Sequence, residues 1–137
     1  MANFKAEYMR YMDNRGIRYR IINENHLEIS FRGKNMNTIS ISVLFNGAGK
    51  NDVSFYCFDI ASVKDDNKYA SALVLCNELN LKYSWIKFFI DENRNVTAGI
   101  YALVDISSVG SECSNLVNIM VDIVDECYPK YMQILWT

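Results

Sequence analysis

The sequence predicts an α+β domain in the order α-β-β-β-β-α-β-β-α, an antiparallel sheet with helices packed on it. Two observations carry this. Apolar residues recur at helical spacing near both ends and once in the middle, and alternate with period two elsewhere. The breaks between the first alternating runs, "NENH", "GKNMN" and "NGAGKND", are short and rich in Asn and Gly, residues that tolerate positive φ and so favour hairpins over crossovers. Strands in consecutive runs, with helices at the ends and middle, give α+β rather than a parallel α/β sheet.

The first helix follows from Phe4, Tyr8, Tyr11, Met12 and Arg15, with Asn3 to cap its start and Gly16 where a left-handed terminal residue belongs. Three strands come next: Ile17, Tyr19 and Ile21; Leu27, Ile29 and Phe31; Ile39, Ile41, Val43 and Phe45, each with one face to bury. The fourth, "DVSFYCFDIASV", is apolar on both parities, Val53, Phe55 and Cys57 against Tyr56, Phe58 and Ile60, and calls for cover on both faces. Asp65 or Asp66 caps a helix whose stripe is Tyr69, Ala72, Leu73, Cys76 and Leu79 and whose stop is Asn80. Ile86, Phe88 and Ile90, then Val96, Ala98, Ile100, Ala102 and Val104, form a hairpin across "DENRN". Ser111 caps a last long helix carrying Cys113, Leu116, Val117, Met120, Ile123, Val124 and Cys127. Pro129 then kinks it or opens a short terminal helix, "PKYMQILW".

At 137 residues, with half of them apolar and a single proline, the chain reads as one domain spanning residues 1–137, without linker, repeat or low-complexity segment. Basic residues are dispersed and the net charge is −2, which argues against nucleic acid. "MANFKAEYMRYMDNR" lacks the apolar run of a signal peptide and no stretch approaches membrane-spanning length, so the expected location is the cytoplasm. Cys57, Cys76, Cys113 and Cys127 show no C-x-x-C pattern and His26 is the sole histidine. Buried reduced thiols, no metal and no cofactor are expected.

The acidic cluster invites three functional readings. Asp91, Asn93 and Asn95 match the first ligands of an EF-hand loop, but Val96 and Ala102 stand where its Gly and Glu belong, and strands flank it. Asp91 and Glu92 as an acid pair have nothing near to raise either pKa. A plain hairpin turn is the expectation. "FNGAGKN" imitates a phosphate loop without its first Gly or its helix, and His26, expected in an exposed turn, has no nucleophile nearby in sequence. No catalytic residue is assigned.

What stands out is apolar surplus on the strand parity opposite the core: Tyr56, Phe58 and Ile60, Trp85 and Phe89, Tyr101 and Leu103. Either the first or the terminal helix wraps around to cover that face, or the face is an interface.

"NELNLKYSWIKFFIDENRNV" and the helix ending "YPKY", in this order of elements, resemble the YbjN family of bacterial sensory transduction regulators. The carrying features are the Leu79–Asn80 helix end, the aromatic strand Lys87 to Phe89, the acidic turn from Asp91, and Pro129 late in the last helix. The resemblance implies a twisted sheet like that of the type III secretion chaperones, pairing into a homodimer, and a non-enzymatic regulator. The resulting expectation is a protein-binding module, chaperone-like or a regulatory adaptor, docking another protein's extended segment through Tyr56, Phe58, Trp85, Phe89 and Tyr101. The alternative is a small-ligand sensor or enzyme whose site assembles His26, acids and cysteines from distant parts of the chain.

Overall fold

The computed structural model describes residues 3–46 and 51–137; the glycine-rich hairpin tip that imitates a phosphate loop lies mostly outside them. Helix α1 (Phe4–Asn14) starts where the Asn3 side chain accepts the Ala6 amide at 2.9 Å and ends before Gly16, which takes φ +66°. Strands β1 (Arg20–Asn23), β2 (His26–Phe31), β3 (Ile39–Phe45) and β4 (Asp52–Ser62) form a meander, followed by α2 (Asp66–Lys82), the hairpin β5 (Lys87–Ile90) and β6 (Asn95–Leu103), and α3 (Val109–Leu135). All pairings are antiparallel, in the order β1-β2-β3-β4-β6-β5. The hairpin thus joins the sheet through its second strand, leaving β1 and β5 as edges.

Helix α3 lies across β3, β4 and β6, and both α1 and α2 pack against α3, so the three helices form one layer. Between that layer and the sheet lie Leu27, Ile41, Val43, Val53, Phe55, Phe88, Ala98 and Ile100 from the strands with Val117, Met120 and Val124 from α3, all buried. Gly110 sits where α1 crosses α3, and a methyl group there would run into the Tyr11 ring.

Several sequence expectations change. The first strand is shorter than its alternation suggested, and all four of its residues are exposed, because β1 projects past the helix layer; Ile17 and Tyr19 pack against the core from the connection instead. Asp65 caps α2, but the helix runs to Lys82, and Leu75 rather than Leu73 faces inward. Helix α3 begins after Ser108, not Ser111: Glu112 reaches back to accept the Asp105 amide at 3.1 Å and the Ser108 hydroxyl at 2.6 Å.

Pro129 neither breaks α3 nor opens a new helix. Its missing N–H would leave the carbonyl of Asp125, four residues back, without a helical partner. Asn35, in the loop between β2 and β3, donates its side-chain amide to that carbonyl at 3.0 Å. The Asp125 carboxylate in turn accepts the backbone N–H groups of Lys34, Asn35 and Met36, each at 3.0 Å. A single helical residue therefore fixes the loop, and the loop supplies what the proline withholds. Burial opposes the charge on Asp125, but the three N–H donors outweigh it and hold the carboxyl below its usual range.

Candidate protein-binding surface

With every helix on one side, the other face of the sheet carries no cover from the described residues. Neither α1 nor the end of α3 wraps around it, which corrects the expectation that both faces of β4 are covered. Residues pointing there share one parity: Ser42 and Leu44 on β3, Ser54, Tyr56 and Phe58 on β4, Gly99, Tyr101 and Leu103 on β6, and Phe89 on β5.

Four of the five aromatic residues singled out from sequence are well exposed: Trp85 62%, Tyr101 61%, Phe58 47% and Phe89 42%. Tyr56 is half-buried and stacks on Phe58, ring centres 5.2 Å apart and planes 25° from parallel. It can lie flat because Gly99 is its cross-strand partner: a Cβ at Gly99 would come within 3.1 Å of the ring. Tyr101, across from Ser54, donates its hydroxyl to Asp52 at 2.8 Å, a bond that raises its pKa. Trp85 stands just before β5. These side chains share one end of the sheet, over β4, β6 and β5.

A bulge shapes this end. Cys57 pairs with Ala98 and Ala61 with Val96, so three β4 residues face Thr97 alone, and Asp59 takes φ 57° to accommodate them. The two extra residues keep Ala61 in phase with the core while Phe58 is pushed outward. Ile60, which simple alternation places on the open face, is instead buried in the core cluster. Leu44 and Gly99 were missed as members of the surface; Leu44 follows Ser42 at the outward parity of β3, and Gly99 stands between Thr97 and Tyr101 at the outward parity of β6.

The acidic cluster is a turn. Asp91 accepts the amides of Asn93 and Asn95 at 2.9 and 3.0 Å and the Thr97 hydroxyl at 3.2 Å, while Arg94 takes φ 65°. Its oxygens are committed to closing the hairpin, and Thr97 is buried on β6 between β4 and β5.

The residues of the alternative reading are not brought together. All four cysteines are buried on the helix side, where burial pushes the Cys57 and Cys113 thiols up to about 12, far from thiolate formation at neutral pH. His26 opens β2 rather than lying in a turn, and it points to the opposite side from the buried Leu27. It is partly buried rather than exposed, and its Nε2 meets no partner among the described residues. Among those residues no three His, Cys, Asp or Glu side chains cluster as metal ligands. A groove of 720 Å³ between α2 and the end of α3, lined by Val74, Leu75, Leu79 and Ile134 with Lys82 and Lys130, contains neither histidine nor cysteine. No described helix is long and apolar enough to cross a membrane.

The two edges of the sheet are treated differently. On β5 the Asn80 side chain accepts the Phe88 amide at 2.7 Å and donates to the Phe88 carbonyl at 3.0 Å, filling the place of a neighbouring strand. Asn80 is thus a seal on the edge rather than a helix stop. Lys87 adds bonds to the carbonyls of Asn80 and Tyr83 at 2.9 and 3.0 Å. On β1 every residue is exposed, and Ile21 and Ile22 keep 53% and 40% of their surface.

Comparison with known proteins agrees with this architecture. The crystal structure of YbjN from E. coli, described as a putative transcription regulator, superposes with a TM-score of 0.64 over 95% of each chain at 10% sequence identity, a likeness of fold. No curated protein matches the sequence. The family model described as "YbjN: Putative bacterial sensory transduction regulator" matches residues 9–131, nearly the whole described domain, and the chain therefore belongs to the YbjN family.

Proposed function

We propose that this protein is a non-enzymatic regulatory adaptor of the cytoplasm that works as a homodimer and holds a segment of another protein against the open face of its sheet. The observation that carries this is the aromatic end of that face, Tyr56, Phe58, Trp85, Phe89 and Tyr101 beside Leu103, left uncovered by three helices that all pack on the other side. Apolar surface of this extent on a small domain marks a docking site. Its charged neighbours are few and mixed, Lys87 against Asp52, so the face suits a protein chain rather than a phosphate backbone. The E. coli protein is described as "a putative transcription regulator". With a net charge of −2 here, regulation through protein contact is the better fit than direct binding to DNA.

The test is capture from the native host with the tagged protein, run beside the double variant Trp85→Ala/Phe89→Ala. Partners retained by the wild type at moderate salt and lost by the variant support the reading. Equal recovery by both overturns it.

A further inference from the structure

We propose that the groove between α2 and the end of α3 binds a long-chain carboxylate, its alkyl chain along the apolar end and its carboxylate between Lys82 and Lys130. The groove belongs to the helix layer, away from the aromatic face, and its ligand is independent of any segment docked there. Its volume, 720 Å³, falls within the range of small-molecule sites, about 300–1,000 Å³.

Three contacts set the two helices antiparallel. Lys68, near the start of α2, donates to the Thr137 carbonyl; Cys76 lies 3.1 Å from the Tyr131 hydroxyl; and Tyr83, just after α2, donates its hydroxyl to Glu126 at 3.3 Å. The lining is therefore graded along its length. Val74, Leu75 and Ile134 lie toward one end, and Lys82 and Lys130 toward the other, together with Glu78. Leu75 and Leu79 are buried and form the floor, while Val74, 57% exposed, stands as a wall. From Ala70 to Lys82 the groove follows α2 for about 18 Å, at about 1.5 Å per residue, room for an extended alkyl chain. A helix from another protein, about 10–12 Å across with its side chains, would over that length exceed the volume of the groove, so a slender chain fits better.

Charge selects the head group. Neither Lys82 nor Lys130 belongs to an ion pair among the described residues. The carbonyls at the end of α2, which attract a cation, are served by Lys87 instead, bonded to those of Asn80 and Tyr83 at 2.9 and 3.0 Å. Glu126, one turn before Lys130, is turned to the Tyr83 hydroxyl. Burial raises the pKa of the Cys127 thiol, and both Lys130 and Lys82 are among the groups opposing that rise, so the two ammonium groups stand around one point. Glu78 counts against an anion, but two lysines against one glutamate leave the lining with a net positive charge. An apolar trough with surplus cation at one end is complementary to a single-chain carboxylate.

Isothermal titration of the full chain with monomeric dodecanoate tests this, beside dodecyltrimethylammonium, a cation of equal chain, and butyrate, an anion without one. Dodecanoate is expected to bind saturably at a single site and the two controls not at all. Because both lysines are exposed, Lys82→Gln and Lys130→Gln should each weaken binding about two- to fivefold, and Glu78→Gln should tighten it about twofold. Val74→Asp sets a charge in the apolar end at an exposed position and should abolish binding. Thermal unfolding of each variant confirms that it folds. No binding of dodecanoate by the wild type, equal binding of the cationic chain, or an affinity unchanged in Lys82→Gln/Lys130→Gln or in Val74→Asp overturns the proposal. Two further results overturn it by naming another occupant: binding to phosphatidylglycerol vesicles through the two lysines without uptake of dodecanoate, which makes the groove a membrane contact, or a dimer that Val74→Asp dissociates, which makes it the seat of a second copy.

Discussion

The two faces of this sheet are made from the same strands by the same alternation, yet one is dry and the other wet. On the helix side, Phe55, Val43 and Ile41 are buried by α3, which supplies Val117, Met120 and Val124. On the other side Tyr101 and Trp85 remain more than half exposed. Over β2 and β3 amino-acid type separates the faces, Glu28, Ser30, Ser40 and Ser42 lying opposite the core; over β4, β6 and β5 both faces carry large apolar residues and only the placement of the helices distinguishes them. Aromatic side chains that stabilise the fold are thereby distinguished from those available to a partner.

The sharpest way to break this comparison is to truncate one residue on each side. Phe55→Ala, in the fully buried layer, is expected to cost about 3–5 kcal/mol in urea-induced unfolding. The comparison collapses if that loss is matched by a truncation on the open face. A second variant sharpens it by probing the polar contact that ties the helix layer to the sheet. Asp125→Asn removes the charge received by three amides and is expected to cost about 1 kcal/mol at neutral pH, a value reduced for the partial exposure of the site. Because the folded carboxyl titrates below its unfolded value of about 4, its contribution is fully present above that pH and is lost as pH falls through the lowered folded value. Unfolding at pH 7 and near pH 3 should therefore show the gap between wild type and variant closing in acid; a gap that widens would contradict the clamp. The smallest effect belongs to the open face itself: Trp85→Ala should change stability by no more than about 0.5 kcal/mol, since the side chain stands mostly in water.

Much of this molecule was legible in its sequence because both periods are local. Asn3, Gly16 and Asp65 marked helix ends by chemistry that acts within one turn, and the Asp91 turn followed from side chains bonding their own backbone. The aromatic surface was visible as an excess at the wrong parity. What escaped were arrangements set by partners distant in the chain. Ile60 was misplaced because a bulge shifts the strand against β6. Asn80 read as a stop signal, although its amide serves a strand eight residues later. Pro129 read as a break because the Asn35 amide that compensates it comes from the other half of the sequence. Which face the helices cover depends on how α1 and α2 meet α3, and no spacing within one segment encodes that.

The bonds between Asp125 and the β2–β3 loop also bear on time. Amides of exposed loops exchange their hydrogens with water almost freely, but those of Lys34, Asn35 and Met36 are all donated to one carboxylate on α3. Their exchange requires release from that carboxylate, by motion of the loop or of the Asp125 side chain. Three surface amides thus report how firmly the loop is held to the helix.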